Sequence, residues 1–190
     1  MREPLYRRMK PLVEALAGQI DPLLDVPFAL LGHSMGALVA FELARQLRRT
    51  SGPRPAHLFA LGRRAPQLPE PAGTVFHLPD DELLAELRDR FGGIPDVLIA
   101  DPELRAVFIP IIRADVEVID TYVYRREPPL DCPISAICGL EDSIDEKELA
   151  AWQQQTTGAF AMERLPGGHF VAETSGGELR QIVAQELSAL

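Results

Sequence analysis

The sequence predicts an α/β protein: a mostly parallel sheet with helices on both faces. Three observations carry this. Phe28-Ala29-Leu30-Leu31 and His57-Leu58-Phe59-Ala60-Leu61 are short and almost wholly apolar, and a tract of helical periodicity joins them. That is the pattern of a right-handed strand–helix–strand unit buried on both faces. A buried strand, Cys132–Gly139, and a further strand, Phe160–Leu165, are again separated by a helical tract. Between the first strand and its helix stands Gly32-His33-Ser34-Met35-Gly36, the Gly-x-Ser-x-Gly pattern of a sharp strand-to-helix turn.

The elements follow in order. Leu5, Met9, Leu12, Val13, Leu16 and Ile20 recur at helical spacing and predict an amphipathic helix over 5–20. Pro22 and Pro27 break the chain before strand 28–31. At the turn, Gly32 and Gly36 leave out Cβ atoms that would clash as strand and helix nearly touch. The helix then runs from 35 to 48 and ends basic, on Arg45, Arg48 and Arg49, before Ser51-Gly52-Pro53 stops it. The second strand is His57–Gly62, and 66–79 is Pro-rich and irregular. From 80 to about 127 no sheet strand is expected. A helix over Leu83, Leu84, Leu87 and Phe91 ends at Gly92-Gly93, and a longer tract from Asp101 is kinked or divided by Pro110. This region reads as a helical lid inserted over the C-terminal edge of the sheet, where open α/β folds bind ligands, with ordinary crossover helices as the alternative. Strand Cys132–Gly139, a helix carrying Leu149 and Trp152, strand Phe160–Leu165, the loop Pro166-Gly167-Gly168-His169-Phe170 and helix 177–189 complete the chain.

With 190 residues, one domain with a sizeable core is the default. The formal net charge of −9 argues against nucleic acid and against an anionic membrane surface as partners. No apolar run approaches the length of a transmembrane helix, and Met1-Arg2-Glu3-Pro4-Leu5 is not a secretion signal. Cys132 and Cys138 lie near the two ends of one strand, which holds them apart, so no bridge is expected. A reducing, cytoplasmic compartment fits. The four dispersed histidines and the two cysteines have no metal-ligand spacing, and no phosphate loop or dinucleotide fingerprint occurs.

The chemistry gathers at three residues just past three strand ends: Ser34, Asp142 and His169. Parallel strands deliver such loops to one edge, and the order Ser, acid, His is that of an α/β-hydrolase. His169 would take the proton from Ser34 Oγ and pass it to the leaving group, and Asp142 would hold the imidazole in the useful tautomer. The backbone N–H of Met35, first in its helix, would donate to an oxyanion. Glu141 and Asp145 rival Asp142 as the acid. His33 lies beside the nucleophile with its side chain pointing away from that of Ser34, and reads either as packing or as support for the residues around the catalytic set. His57, at a strand start, and His77, in or near a short strand, read as structural.

The segments Gly32-His33-Ser34-Met35-Gly36-Ala37, Phe41-Glu42-Leu43-Ala44, Leu78-Pro79-Asp80-Asp81, Pro133-Ile134 and Pro166-Gly167-Gly168-His169-Phe170 together resemble the type II thioesterases of nonribosomal peptide and polyketide synthesis. The resemblance implies an α/β-hydrolase domain over 1–190 with a mobile lid matching 80–127. It implies Ser34, Asp142 and His169 as the catalytic set, and hydrolysis of acyl or aminoacyl thioesters from the phosphopantetheine arm of carrier proteins. No cofactor is then required, and a monomer is expected. Family members carry a further N-terminal segment with the first strands and an aromatic-Gly-Gly loop that donates the second oxyanion N–H. Its absence here reads as an N-terminal truncation, from a start codon placed too late or from a degenerate copy. Loss of one donor costs roughly 3–4 kcal/mol, so this form is expected to be unstable or weakly active, with an exposed sheet edge. Arg45, Arg48, Arg49, Arg63 and Arg64 offer either a docking surface for an acidic carrier or a solvated face. Two other readings stand beside the thioesterase: a carboxylesterase on small oxygen esters, and a non-catalytic carrier-binding homologue.

Overall fold

The structure is a computed structural model and describes residues 4–70 and 73–188. The chain falls into two compact units, one of Val13–Leu68 with Tyr124–Leu190 and one of Met1–Leu12 with Pro69–Val123.

The first unit holds a four-stranded sheet in the order β1 (Ala29–His33), β2 (His57–Leu61), β3 (Ile134–Gly139), β4 (Phe160–Leu165), parallel throughout. Ala29 pairs with His57, Leu58 with Ile134 and Ile134 with Phe160, so all four strands end at one edge. The period-two alternation divides the core. Leu58, Ala60, Ile134, Ala136 and Cys138 pack with Ala37, Phe41 and Ala44 of α2 (Met35–Arg49) and with Trp152. Phe59, Leu61, Ile137 and Leu165 pack on the other side with Val171 and Leu179, from α7 (Val171–Thr174) and α8 (Gly176–Ser188). Helices therefore cover both faces. β1 pairs only with β2 among the described residues, and Leu31 at its centre is 52% exposed, the exposed edge the sequence leads one to expect.

Several boundaries move for stated reasons. α1 spans Met9–Ile20, not 5–20. Pro11 at its third position needs no N–H, but a helix reaching back to Leu5 would drive the Pro11 ring into the Arg7 carbonyl. β3 begins at Ile134 because Pro133 has no N–H for the ladder, although its carbonyl accepts from Leu58 N at 3.0 Å. Cys132 thus precedes the strand. Both cysteines are free and buried.

At the basic end of α2 Arg45 turns inward while Arg49 stays exposed, and most of the group suggested as a docking surface or a solvated face, Arg45, Arg48, Arg49, Arg63 and Arg64, is ion-paired within the chain. The Arg45 side chain is 2% exposed and bonds Glu42 at 2.6 Å and Glu127 at 3.0 Å. Its guanidinium lies over Phe41 and Tyr124, 5.1 and 5.4 Å from the ring centroids. Arg48 and Arg49 also bond Glu127, Arg64 bonds Glu148, and Arg63 is buried. Burial raises the Glu127 carboxyl, but the three arginines outweigh it and hold its pKa below the ordinary value. These charges fasten α2 to the chain after Tyr124 and leave little for a partner.

In the other unit, α3 (Asp80–Phe91), α4 (Asp96–Ala100) and α5 (Pro102–Asp120) pack through Leu83, Leu84, Leu87, Leu98, Ile109 and Val116. α4 is an element the sequence reading lacks. Pro110 does not divide α5: it sits on an exposed face, where the carbonyl it leaves unbonded can be hydrated. His77 lies in a turn, not a strand. Asp120 Oδ2 accepts from Val75 N at 2.6 Å and Phe76 N at 3.0 Å, fixing the irregular stretch before α3. No helix among the described residues is long and apolar enough to cross a membrane.

His57 sits in the sheet core, stacked on Phe59 at 4.1 Å, with Nε2 2.9 Å from Ser135 Oγ. Its Nδ1 has no hydrogen-bond partner among the described residues. An unmet lone pair costs less than an unmet N–H, so the proton belongs on Nε2. Burial pushes the His57 pKa down from 6.5, against a weaker opposing pull from Glu186. The unfolded chain therefore takes up a proton first as the pH falls through 6.5, and stability is lost down to the folded pKa. The urea midpoint is expected to fall between about pH 7.5 and about pH 5.5, and to fall less in His57→Gln. An equal fall in both proteins would remove His57 as the cause.

Candidate active site

The turn after β1 is as sharp as its sequence implies. Ser34 adopts φ 53 and ψ −116, and α2 begins at Met35. For a residue with a Cβ this backbone costs about 1–3 kcal/mol. It is held from both sides: Ser34 N donates to Leu61 O at 2.8 Å, and Ser34 O accepts from Ala37 N at 3.1 Å. A Cβ on Gly32 would stand 2.0 Å from Gly36 O and 2.6 Å from Ala37 N. The reading of Gly36 is corrected: a Cβ there would meet nothing within 4 Å. The close approach is of the Gly32 Cα to the backbone of Gly36, so only the first glycine is sterically required. The Ser34 hydroxyl does not cap the helix. The N–H of Met35, in the first turn, has no acceptor inside the helix.

The acid and histidine loops are laced together by backbone. Leu140 N donates to Leu165 O at 2.8 Å and Glu141 N to Gly167 O at 3.0 Å. A Cβ on Gly139 would lie 2.2 Å from both Gly167 O and Gly168 O. Arg164 of β4 donates to the carbonyls of Gly139 and Leu140 at 3.2 and 3.3 Å, fastening the strand end just before Asp142.

This brings Asp142 Oδ2 to 3.1 Å from His169 Nδ1, with side chains only 2% and 7% exposed. Burial raises the Asp142 carboxyl, but the bond and charge of His169 and the backbone N–H groups of Ile144 and Ser143 outweigh it. The carboxylate is held below its ordinary pKa and stays charged at neutral pH. Of its rivals, Asp145 caps α6 (Glu146–Ala150) in a reciprocal box with Glu148, and Glu141 is exposed.

The histidine loop reaches the elbow through His33, whose Nε2 lies 2.8 Å from His169 O and whose ring centroid is 4.8 Å from that of His169. The sequence reading, packing or support beside the nucleophile, does not name this bond; Gly62, one residue past the Leu61 that pairs with His33, was an available signal. Among the described residues no three His, Cys, Asp or Glu side chains converge as metal ligands.

The chain matches the model of the thioesterase domain over residues 1–188. It is 39% identical over 180 residues to the gramicidin S biosynthesis protein GrsT of Aneurinibacillus migulanus, covering 94% of this chain and 70% of that protein. It superposes on RedJ, a thioesterase of the prodiginine pathway in Streptomyces coelicolor, with TM-score 0.83 and 37% identity, covering 96% of this chain and 68% of RedJ. On BorB, the type II thioesterase of the borrelidin cluster, the TM-score is 0.85 at 36% identity, covering 96% and 74%.

The elbow geometry makes a prediction. Gly32→Ala is expected to cost about 3 kcal/mol or more, because backbone must move. Gly36→Ala should stay within about 1 kcal/mol of wild type. Chemical denaturation of the two variants checks this; equal stabilities would mean that strand and helix do not touch at Gly32.

The fold, the strained serine turn and these similarities agree: the chain belongs to the thioesterase domain family and has its α/β-hydrolase architecture.

Proposed function

We propose that this protein is a serine thioesterase that hydrolyses acyl or aminoacyl thioesters from the phosphopantetheine arm of carrier proteins, as an editing enzyme of nonribosomal peptide or polyketide synthesis. The observation that carries it is the buried Asp142–His169 pair at the sheet edge where the strained Ser34 turn emerges.

In this reading Ser34 Oγ attacks the thioester carbonyl while His169 Nε2 takes its proton. Asp142 keeps Nδ1 protonated and steadies the imidazolium. The Met35 N–H, with the N-terminal dipole of α2 behind it, receives the developing oxyanion. The C–S bond then breaks and His169 returns the proton to the leaving thiolate. Water, deprotonated by the same imidazole, attacks the acyl-serine and releases the free acid and the Ser34 hydroxyl. A thiolate leaves readily, so the demand on the site is modest.

The helices of 80–127 are the lid insertion of a single thioesterase domain, with Val107, Phe108 and Ile111 of α5 as exposed apolar side chains. A largely apolar slot discriminates weakly between chains of similar length, which suits an editing enzyme. No cofactor takes part, because the acyl group arrives activated. The protein acts as a monomer in the cytoplasm, where its two buried thiols stay reduced.

The test compares thioesters and oxygen esters of matched acyl groups, in wild type and Ser34→Ala. Turnover should favour the thioester and fall by roughly 10⁴-fold or more in the variant. Preference for the oxygen ester would make it a carboxylesterase. Carrier binding with no turnover in either protein would make it a binding homologue.

A further inference from the structure

The imidazole of His169 is tethered through its ring to Asp142, but the main chain beneath it has a tether of its own. His33, the residue before Ser34, places Nε2 2.8 Å from the His169 carbonyl oxygen. A carbonyl only accepts, so Nε2 carries the proton and donates. The His33 ring packs against two neighbours, 4.8 Å from the His169 ring and 5.5 Å from that of Phe170. Room for the bond comes from Gly62, at φ +56 just after β2. A Cβ there would stand 2.9 Å from His33 Nε2 and 3.3 Å from His169 O.

We propose that His33 is a positioning residue for the candidate base: its Nε2–H fixes the His169 main chain against the end of β1 and so sets the reach of the imidazole to Ser34 Oγ. This rests on the reading of Ser34 and His169 as nucleophile and base. The bond to Asp142 fixes only Nδ1, and where the far nitrogen points then depends on where the His169 Cα sits. That Cα follows Pro166-Gly167-Gly168, with Gly167 at φ +106, a stretch whose two glycines restrict the backbone little. His33 joins it to the strand that carries the nucleophile, so base and serine share one rigid frame.

The choice of a histidine is also accounted for. Burial pushes the His33 pKa below 6.5, and the positive charge that His169 can carry pushes the same way, against the bond to the His169 carbonyl and the charges of Asp142 and Glu173. A neutral donor holds the carbonyl without setting a second cation beside the imidazolium formed in turnover. A lysine or arginine in its place would oppose that charge.

The test uses His33→Ala, which removes the donor, and His33→Gln, whose amide can restore it, at a temperature where all forms are folded. In thioester hydrolysis the alanine variant is expected to lose roughly ten- to a hundredfold in kcat, with KM within about twofold, and the glutamine variant to recover most of the loss. Without substrate, the ¹⁵N signals of the His169 imidazole should shift in His33→Ala and return toward wild type in His33→Gln. Alanine-variant kcat within about twofold of wild type, unchanged His169 signals, or a glutamine variant no better than alanine would each overturn the proposal. A wild type that turns over no thioester would sink the proposed function, while the imidazole signals would still decide the role of His33.

Discussion

Everything at the functional edge depends on backbone lying directly on backbone. Gly32 lets β1 touch the first turn of α2, and Gly139 lets the end of β3 touch the Gly167-Gly168 loop. In both places a single methyl group would stand about 2 Å from a carbonyl oxygen. These contacts shorten the distance between three loops that are remote in sequence. Side-chain packing could not do the same, because a layer of side chains would spread the loops beyond hydrogen-bonding range. The strain at Ser34 follows from the same constraint: a chain that must leave a strand and enter a helix within one residue has only a left-handed backbone to do it with.

The charges follow a second logic. The chain is strongly acidic, and two of its arginines, Arg45 and Arg63, are buried inside the fold. Arg45 fills a slot between Phe41 and Tyr124 and is bonded to Glu42 and Glu127, and Arg164 fastens the strand end beside the acid. Guanidinium suits such places because its flat face packs on rings while its edge donates several bonds. A buried pair of this kind adds little net stability over an apolar replacement, but losing one partner leaves an uncompensated charge in the core. Its role is to specify how α2 meets the segment after Tyr124.

Most of the sheet was legible in the sequence, because strands buried on both faces read as unbroken apolar runs and each such run became a strand. The elbow was legible because its geometry permits few residue types. Boundaries were less so where a proline acted locally: Pro11 delays α1, Pro133 delays β3, and Pro110 is accepted mid-helix because its face is exposed. The short helix α4 escaped notice because five residues are too few to show a period. The basic cluster was legible as charge, but composition does not record that Glu42, Glu127 and Glu148 pair with it. In the site, chain order and strand ends pointed to Asp142 and His169. Spacing carries no information on what a side chain does across the sheet, and so the bond that His33 makes to the His169 carbonyl was not legible.

Four histidines in one chain show how far environment, not residue type, sets the chemistry. His57 is closed in the core with one nitrogen bonded to a hydroxyl and the other without a hydrogen-bond partner among the described residues, and burial lowers its pKa. His33 is also kept neutral by burial, but it donates to a carbonyl beside the nucleophile. His77 stands exposed in a turn. Only His169 has a buried carboxylate on its inner nitrogen, and that carboxylate is held in its charged form. An imidazole works as a shuttling base when its cationic state is stabilised as it forms, and Asp142 is hydrogen-bonded to His169 for this, whereas its pull on His33 is outweighed by burial. Keeping the neighbouring His33 neutral is the complement of that arrangement. Were both rings to ionise, two cations with centroids 4.8 Å apart would compete for one carboxylate, and the base would lose the asymmetry on which proton transfer depends.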